Sequence, residues 1–353
     1  MTTSLVLFAI SIIGFTWPFV WYPFLLRFLP RVSLKYAPNN TALGITVIIP
    51  CFNEATNLRK KLENTVRAVG PRPIQIIVAD DGSTDDCASL AETFANEHPY
   101  IEVHRLPRQG KGRAINSVWN SARYDIIIIT DANAVLNQDS ISALLAPFNN
   151  PRVGETRGRY VPQEPRSITA HQGASGYQDF NHRIYVAESE RGLLHVSGGA
   201  LQALRKSLHN PDLTLTMSED WDMTLEARQA GWLVIYTPEA IAYKRVTVRN
   251  DELWRQQVRL VYGTIQTTWK YRKLFNPLKY HTFSISFVSG KPAQIAGPWW
   301  IMLGMLASLF IAKGSLPFVI SLIGPFLILV FFIFLNWHRA RVRLPVLKQL
   351  EYI

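Results

Sequence analysis

Only two cysteines, Cys51 and Cys87, occur in 353 residues, which excludes a disulfide framework and points to a reducing compartment. Neither has the partner spacing of a metal knuckle, so both read as small buried residues. No G-x-G-x-x-G follows an apolar run, which excludes the dinucleotide fingerprint. Gln109-Gly110-Lys111-Gly112-Arg113 lacks the Ser/Thr and the spacing of a P-loop. Charge is absent altogether from residues 2–26. Of the histidines, His171, His182 and His195 form no pair at metal-binding spacing, so they read as surface or core hydrogen-bonding groups.

Positive charge is in excess, with Lys+Arg 37 against Asp+Glu 26 and a formal net charge of +11. The basic residues form no arm or repeated stripe, so nucleic acid is not the expected partner. Many flank long apolar runs, as at a membrane surface. The uncharged run of residues 2–26 is long enough to cross a hydrocarbon core of about 30 Å as a helix. No Lys or Arg precedes it, whereas Arg27, Arg31 and Lys35 follow it. That is the pattern of a retained anchor (residues 1–28) with its N-terminus outside, rather than a cleaved signal. Two further apolar runs, about 293–312 and 316–337, are joined by Lys313-Gly314-Ser315 and followed by Arg339, Arg341, Arg343 and Lys348. They predict a two-helix hairpin over 293–337 and a basic cytosolic tail over 338–353. Residues 266–292 read as an interfacial or connecting segment.

Between the anchors, residues 45–50, 74–80, 101–106 and 125–130 are β-branched, nearly unbroken runs that predict buried parallel strands. Leu58, Leu62, Val66 and Val69 share one face of a helix that Gly70-Pro71 stops. This alternation predicts an α/β, doubly wound sheet, in which ligands bind beyond the carboxyl ends of the strands. Acids stand there: Asp80-Asp81-Gly82-Ser83-Thr84-Asp85 after one strand and Asp131-Ala132-Asn133 after another. Such acids can hydrogen-bond a base or ribose and hold a divalent cation against a diphosphate. They also make good turns, and Lys111 and Arg113 suit either a diphosphate or a solvated basic loop.

The order of motifs resembles a family-2 glycosyltransferase of the membrane-bound, synthase-like branch. The motifs are Pro50-Cys51-Phe52-Asn53-Glu54, the Asp80–Asp85 run, Gly110-Lys111-Gly112-Arg113-Ala114, Thr130-Asp131-Ala132-Asn133, Ser218-Glu219-Asp220-Trp221-Asp222 with Ala230-Gly231-Trp232, and Gln256-Gln257-Val258-Arg259-Leu260. The resemblance implies a GT-A (Rossmann-like) nucleotide-sugar domain over residues 44–265 with flanking transmembrane helices. It also implies a nucleotide-sugar donor, commonly a UDP-sugar, and inversion at the anomeric carbon. By position, Pro50, Glu54, Asp80, Asp81, Lys111 and Asp131 would bind the nucleotide-sugar, with Asp81 on the base. Asp131 and Asn133 would hold a divalent cation, Mg or Mn. Asp220 would be the general base with Glu219 beside it, and Gln256 and Arg259 would meet the diphosphate or the acceptor. A helix cap formed by Ser218 and the acids is the competing structural role for Glu219-Asp220.

Two positions depart from that pattern. Asn133 replaces the second acid of a D-x-D and brings no charge to a cation. Leu260 replaces an aromatic platform, which argues against extension of a neutral polymer. The expected activity is therefore transfer of single sugars or short chains to a lipid, lipid-linked or glycan hydroxyl at the inner or plasma membrane, by a homo-oligomer or with partner subunits. The competing readings are a processive exopolysaccharide synthase and a non-catalytic, membrane-tethered nucleotide-sugar-binding subunit. A transporter would need intramembrane acids or bases, which the apolar runs lack.

Overall fold

The computed structural model describes residues 2–32, 43–163, 168–196, 199–245 and 250–311. The second half of the expected hairpin, the basic tail and Lys35 lie outside the described residues. In chain order the helices are α1 Thr2–Thr16, α2 Tyr22–Leu26, α3 Ala55–Val69, α4 Cys87–Glu97, α5 Lys111–Trp119, α6 Ser140–Leu145, α7 Ile168–Ser189, α8 Glu219–Gln229, α9 Asn250–Lys270, α10 Pro277–Tyr280, α11 Thr282–Ser289, α12 Lys291–Ile295 and α13 Gly297–Ile311. The strands are β1 Ile45–Cys51, β2 Ile74–Asp80, β3 Ile101–Arg105, β4 Ile126–Thr130, β5 Ala134–Leu136, β6 Val153–Gln163, β7 Leu201–Arg205 and β8 Leu233–Arg245.

One eight-stranded sheet has the order β3-β2-β1-β4-β7-β6-β8-β5. The four runs read from the sequence as parallel strands are β3, β2, β1 and β4, and all three pairings among them are parallel. Ile45 lies opposite Ile74 on one side and Ile126 on the other, so side chains of like shape stack in layers. Both faces are covered: Ile45, Val47, Ile76 and Ile128 pack on one, Ile48, Ile77, Ile127 and Ile129 on the other. The other half is mixed. β7 runs antiparallel to β4 and to β6, while β6 and β8 are parallel to one another. The doubly wound expectation therefore holds for the first four strands and gives way to a mixed sheet beyond β4.

One helix among the described residues is long and apolar enough to cross a membrane, over Thr3–Leu26. Trp17–Trp21 is a π-turn between α1 and α2, and Pro18 stands in it. Proline lacks the N–H and crowds the preceding turn, and one extra residue in the turn accommodates it. α1 packs along α13 through small residues: a Cβ on Gly304 would meet Ser11 Oγ at 2.6 Å, and one on Gly14 would collide with the Trp300 ring. Close approach at Gly and Ser is how apolar helices associate without a hydrophobic drive between them.

Within the segment 266–292 the first residues complete α9, which ends at Lys270. α11 then drives Phe283 and Phe287 into a buried cluster with Tyr22 and Leu26 of α2 and Trp221 and Leu225 of α8. In this seam Glu188 of α7 accepts hydrogen bonds from Tyr22 Oη (2.6 Å) and Ser286 Oγ (3.2 Å). His195 Nδ1 lies 3.1 Å from the same Ser286 hydroxyl, and burial pulls its pKa down to about 3. Burial pushes the Glu188 carboxyl up to about 8, against the hydrogen bonds and the charges of Arg157 and Arg228. A raised folded-state pKa gives stability that is whole below the unfolded value near 4.5 and is lost as pH climbs through 8. Thermal melts should show the wild type losing up to about 5 kcal/mol between pH 5 and 8.5 from this group. Glu188→Gln should lack that fall; an equal fall in the variant would remove Glu188 as its source.

Candidate active site

The candidate residues gather at the carboxyl ends of β1, β2 and β4, with the start of α8 facing them. The β1 and β2 loops are stapled together. Asn53 adopts φ 54°, and its Oδ1 accepts from Thr84 N (2.8 Å) while Ser83 Oγ accepts from Asn53 N (3.0 Å). Asp85 accepts from Ala55 N at the start of α3 (3.0 Å) and from Cys87 N at the start of α4 (3.1 Å). Asp80 is buried and accepts from the Ser83 hydroxyl and from Cys51 Sγ. Much of the Asp80–Asp85 run is thus turn and cap chemistry. Both cysteines are buried and free, and with Asp80 they place ligand-type atoms within 4.8 Å of one another, a proximity absent from the sequence spacing.

Asp81 is 2% exposed, and its carboxylate serves the chain itself. It accepts from the backbone of Gln109 (2.8 Å) and Gly110 (3.0 Å) and pairs with the Arg108 guanidinium. Gly82 has φ 72°, and a Cβ there would meet Arg108 N at 2.8 Å, so only glycine lets the two loops touch. Arg108 also covers the Phe52 ring at 3.6 Å, forming a flat wall beside the expected nucleotide pocket. Sequence reasoning missed Arg108. Pro50 is the penultimate residue of β1, opposite Ala79.

At the end of β4 the charges concentrate. Asp131 Oδ1 accepts from Lys111 Nζ (2.8 Å) and Oδ2 from Lys244 Nζ (2.8 Å). Lys111 reaches on to Glu219 Oε1 (2.7 Å), bridging the β4 loop to the start of α8. Burial alone would raise the Asp131 pKa, but Lys111 and Lys244 hold it well below the usual carboxylate range. Burial would lower Lys111, yet Asp131, Glu219 and Asp220 together raise it well above a normal lysine. Beneath them Lys61 of α3 is 2% exposed, donating to Thr130 Oγ1 (2.8 Å) and to the Ala134 carbonyl (2.7 Å). Burial draws it down to about 7 while Asp131 opposes the fall. Neither Lys61 nor Lys244 was singled out from the sequence.

The residues expected to hold a divalent cation are Asp131 and Asn133. Asn133 Nδ2 donates to Glu54 Oε1 (3.1 Å), which turns its carbonyl oxygen away; that Oδ1 is buried and has no hydrogen-bond partner among the described residues. An orphaned carbonyl acceptor suits a hard cation.

Glu219, Asp220 and Asp222 fill the first turn of α8, where the helix dipole favours negative charge, and Ser218 makes no side-chain cap bond. Their roles then diverge. Glu219 pairs with Lys111. Asp222, fully buried, accepts from Thr216 N (2.6 Å) and Lys270 Nζ (2.7 Å), which clamps α9 to the loop before α8. Asp220 is half-buried, and among the described residues its carboxylate has no hydrogen bond or ion pair. A Cβ on Gly199 would lie 3.4 Å from Asp220 Oδ2 and 3.3 Å from Lys111 Nζ. Only backbone therefore lines that side of the carboxylate.

Gln256 and Arg259 lie exposed on α9, with no hydrogen bond to Asp131, Glu219 or Asp220. The same helix meets the site further along, where Gly263 backs onto Ser218. Leu260 is exposed.

The chain is similar in sequence and in fold to known proteins. The family model "Glycosyl transferase family 2" matches residues 46–210. A poly-beta-1,6-N-acetyl-D-glucosamine synthase from Staphylococcus aureus (strain COL) is 25% identical over 286 residues, which is 78% of this chain and 68% of that protein. A mannosyltransferase from Pyrobaculum calidifontis, solved with GDP-Man and Mn2+, superimposes with a TM-score of 0.69 at 22% identity, covering 95% of both chains. Residues 1–349 of S. aureus TarS, solved with UDP-GlcNAc, superimpose with a TM-score of 0.50 at 14% identity, covering 75% of this chain and 81% of that one. Fold, strand-end acids and sequence match agree: the chain carries a family-2 glycosyltransferase domain of GT-A architecture and is a glycosyltransferase.

Proposed function

We propose that this glycosyltransferase is a membrane-anchored, inverting enzyme that moves a sugar from a nucleotide-sugar, first among them a UDP-sugar, to a hydroxyl on a lipid, lipid-linked or glycan acceptor. The observation that carries the reading is the division of labour among the acids. Asp131 and Glu219 are held by lysines, while the Asp220 carboxylate beside them has no ion-pair or hydrogen-bond partner among the described residues. Asp220 takes the acceptor proton as the acceptor oxygen bonds to the anomeric carbon; the carbon–oxygen bond to the diphosphate breaks on the opposite face. Lys111 and Lys244 hold the charge that the departing diphosphate gains. A divalent cation bound by Asp131 and Asn133 would share that neutralisation. Pro50, Glu54 and the loop that Asp80 and Asp81 fix would line the donor pocket, with the Phe52–Arg108 wall against the base. Gln256 and Arg259 would reach the diphosphate or acceptor only through a movement of α9.

Two lysines already on Asp131 predict modest cation affinity. Asn133→Asp should restore a second acid and lower the Mg2+ or Mn2+ concentration for half-maximal activity by about tenfold, the size of one charge-assisted ligand contact. An unchanged or higher requirement would remove Asn133 from the cation site.

The membrane reading rests on the apolar length of Thr3–Leu26, on its packing along α13, and on the exposed Phe24, Phe28, Trp299 and Leu306. These would form the lipid face, with the catalytic domain cytosolic. The S. aureus relative is named as a polymer synthase, but Leu260 offers no aromatic platform, which favours single or short-chain transfer. Membranes incubated with a panel of labelled UDP- and GDP-sugars should release nucleoside diphosphate and label an acceptor. No release from any donor would sink the proposal.

A further inference from the structure

β6, α7 and β8 line an open cavity of about 180 Å3 whose lining the donor chemistry does not use. Arg157 lines it while 8% exposed, donating Nη1 to the Val196 carbonyl at 3.1 Å. Its guanidinium lies over the Tyr185 ring at 4.2 Å and is 5.7 Å from that of Tyr236. Its Nε is buried and has no hydrogen-bond partner among the described residues. Arg159 stands at the rim, 3.7 Å from an exposed Asp179 carboxylate. His182 shares the wall, its Nδ1 3.0 Å from Tyr236 Oη, and burial holds its pKa below the normal value. The cavity therefore presents two guanidinium groups against one solvated acid.

Three features relate this cavity to the acids. Val196, whose carbonyl accepts from Arg157, stands three residues before Gly199, where a Cβ would lie 3.4 Å from Asp220 Oδ2. Tyr160, in the same lining, has its hydroxyl pKa raised by burial and by the Asp131 charge. Lys291 of α12 sits 4.5 Å from the Trp221 ring and feels the charges of Asp220, Arg157 and Glu219.

Burying an arginine with an open N–H is costly unless an anion completes it, and a guanidinium fork fits phosphate oxygens. A neutral glycan would use the tyrosine rings but has no need of two guanidinium groups. The geometry points to this cavity as the acceptor subsite for a phosphate ester, held by Arg157 and Arg159 with a hydroxyl of the same molecule turned toward Asp220. This deepens the transferase reading and rests on it. The phosphate can come from a lipid headgroup or from a soluble ester.

The test uses the full chain in detergent with UDP present, titrated with glycerol 1-phosphate, with phosphatidylglycerol vesicles, and with glycerol and phosphatidylcholine vesicles as controls. Glycerol 1-phosphate or phosphatidylglycerol should bind the wild type while both controls do not; which of the two binds identifies the source. Arg157→Gln should weaken that binding by about 10–100-fold, the range for a charged hydrogen bond. Arg159→Gln, at the exposed rim where folding is not at stake, should weaken it by a smaller factor. Arg59→Gln, on the exposed face of α3 and paired there with Glu63, should leave it unchanged. The proposal is overturned if neither phosphate ester binds the wild type, if both cavity arginine variants bind it normally, or if Arg59→Gln weakens it as much as they do. Failure of the transferase reading would be separate: no UDP binding and no nucleotide release, whatever the phosphate does.

Discussion

Asp220→Asn is expected to lower sugar transfer by about 10²–10⁴-fold, the contribution of a positioned general base, while nucleotide-sugar affinity stays within a few-fold. The substitution keeps the shape of the side chain and the start of α8. It removes one of three acids from a helix N-terminus, about 0.3–1 kcal/mol of stability, so folding is not at stake. No lysine, arginine or backbone N–H among the described residues loses a partner, because the Asp220 carboxylate has none. The loss should therefore fall on turnover and not on donor binding, which a transfer assay beside a nucleotide titration separates. Glu219→Gln should behave differently. It frees one arm of Lys111, so its defect should include weaker donor binding. Full activity in Asp220→Asn would end the base assignment.

The second large effect is at Lys111. This ammonium joins Asp131 to Glu219, and its removal leaves Asp131, Glu219 and Asp220 gathered with Lys244 as their remaining ion-pair partner among the described residues. Like charges at this range raise one another's pKa, so the acids should become partly protonated near neutral pH. Lys111→Met is expected to cost at least about 10²-fold in transfer and to weaken donor binding, since a cation facing the developing diphosphate charge is lost. Its pH profile should shift upward, because acids held low in the wild type then titrate higher. Lys111→Arg should recover part of the donor affinity and little of the rate; a guanidinium does not place one compact charge between two carboxylates. Normal donor affinity and rate in Lys111→Met would show that the bridge is structural only.

The first half of the fold was legible because β1, β2 and β4 are continuous β-branched runs, and such runs are buried on both faces of a parallel sheet. β6 was not. Its sequence, VGETRGRYVPQ, mixes two glycines, two arginines and a proline, and it holds its place through pairing with β8 rather than through local preference. Asp131 was legible as an acid at a strand end, and Glu219 and Asp220 through the resemblance of Ser218–Asp222 to a family motif. Lys61 was not, since a lysine following Lys60 on an amphipathic helix looks solvated; it is buried because α3 packs over the β4 loop. Asp81 shows the opposite case: its position beyond β2 was foreseen, but its carboxylate is spent on the loop of Arg108 to Gly110. Lys291 of α12 and Arg157 of β6 belong to no motif, and only tertiary packing brings Lys291 within reach of the Asp220 charge.

The central claim is a single displacement in which Asp220 takes the proton of the attacking hydroxyl. The most direct measurement is the anomeric configuration of the first product formed from an α-linked nucleotide-sugar, read by proton NMR during turnover. The account predicts a β-linked product in the wild type and none above background in Asp220→Asn; an α-linked product would contradict it.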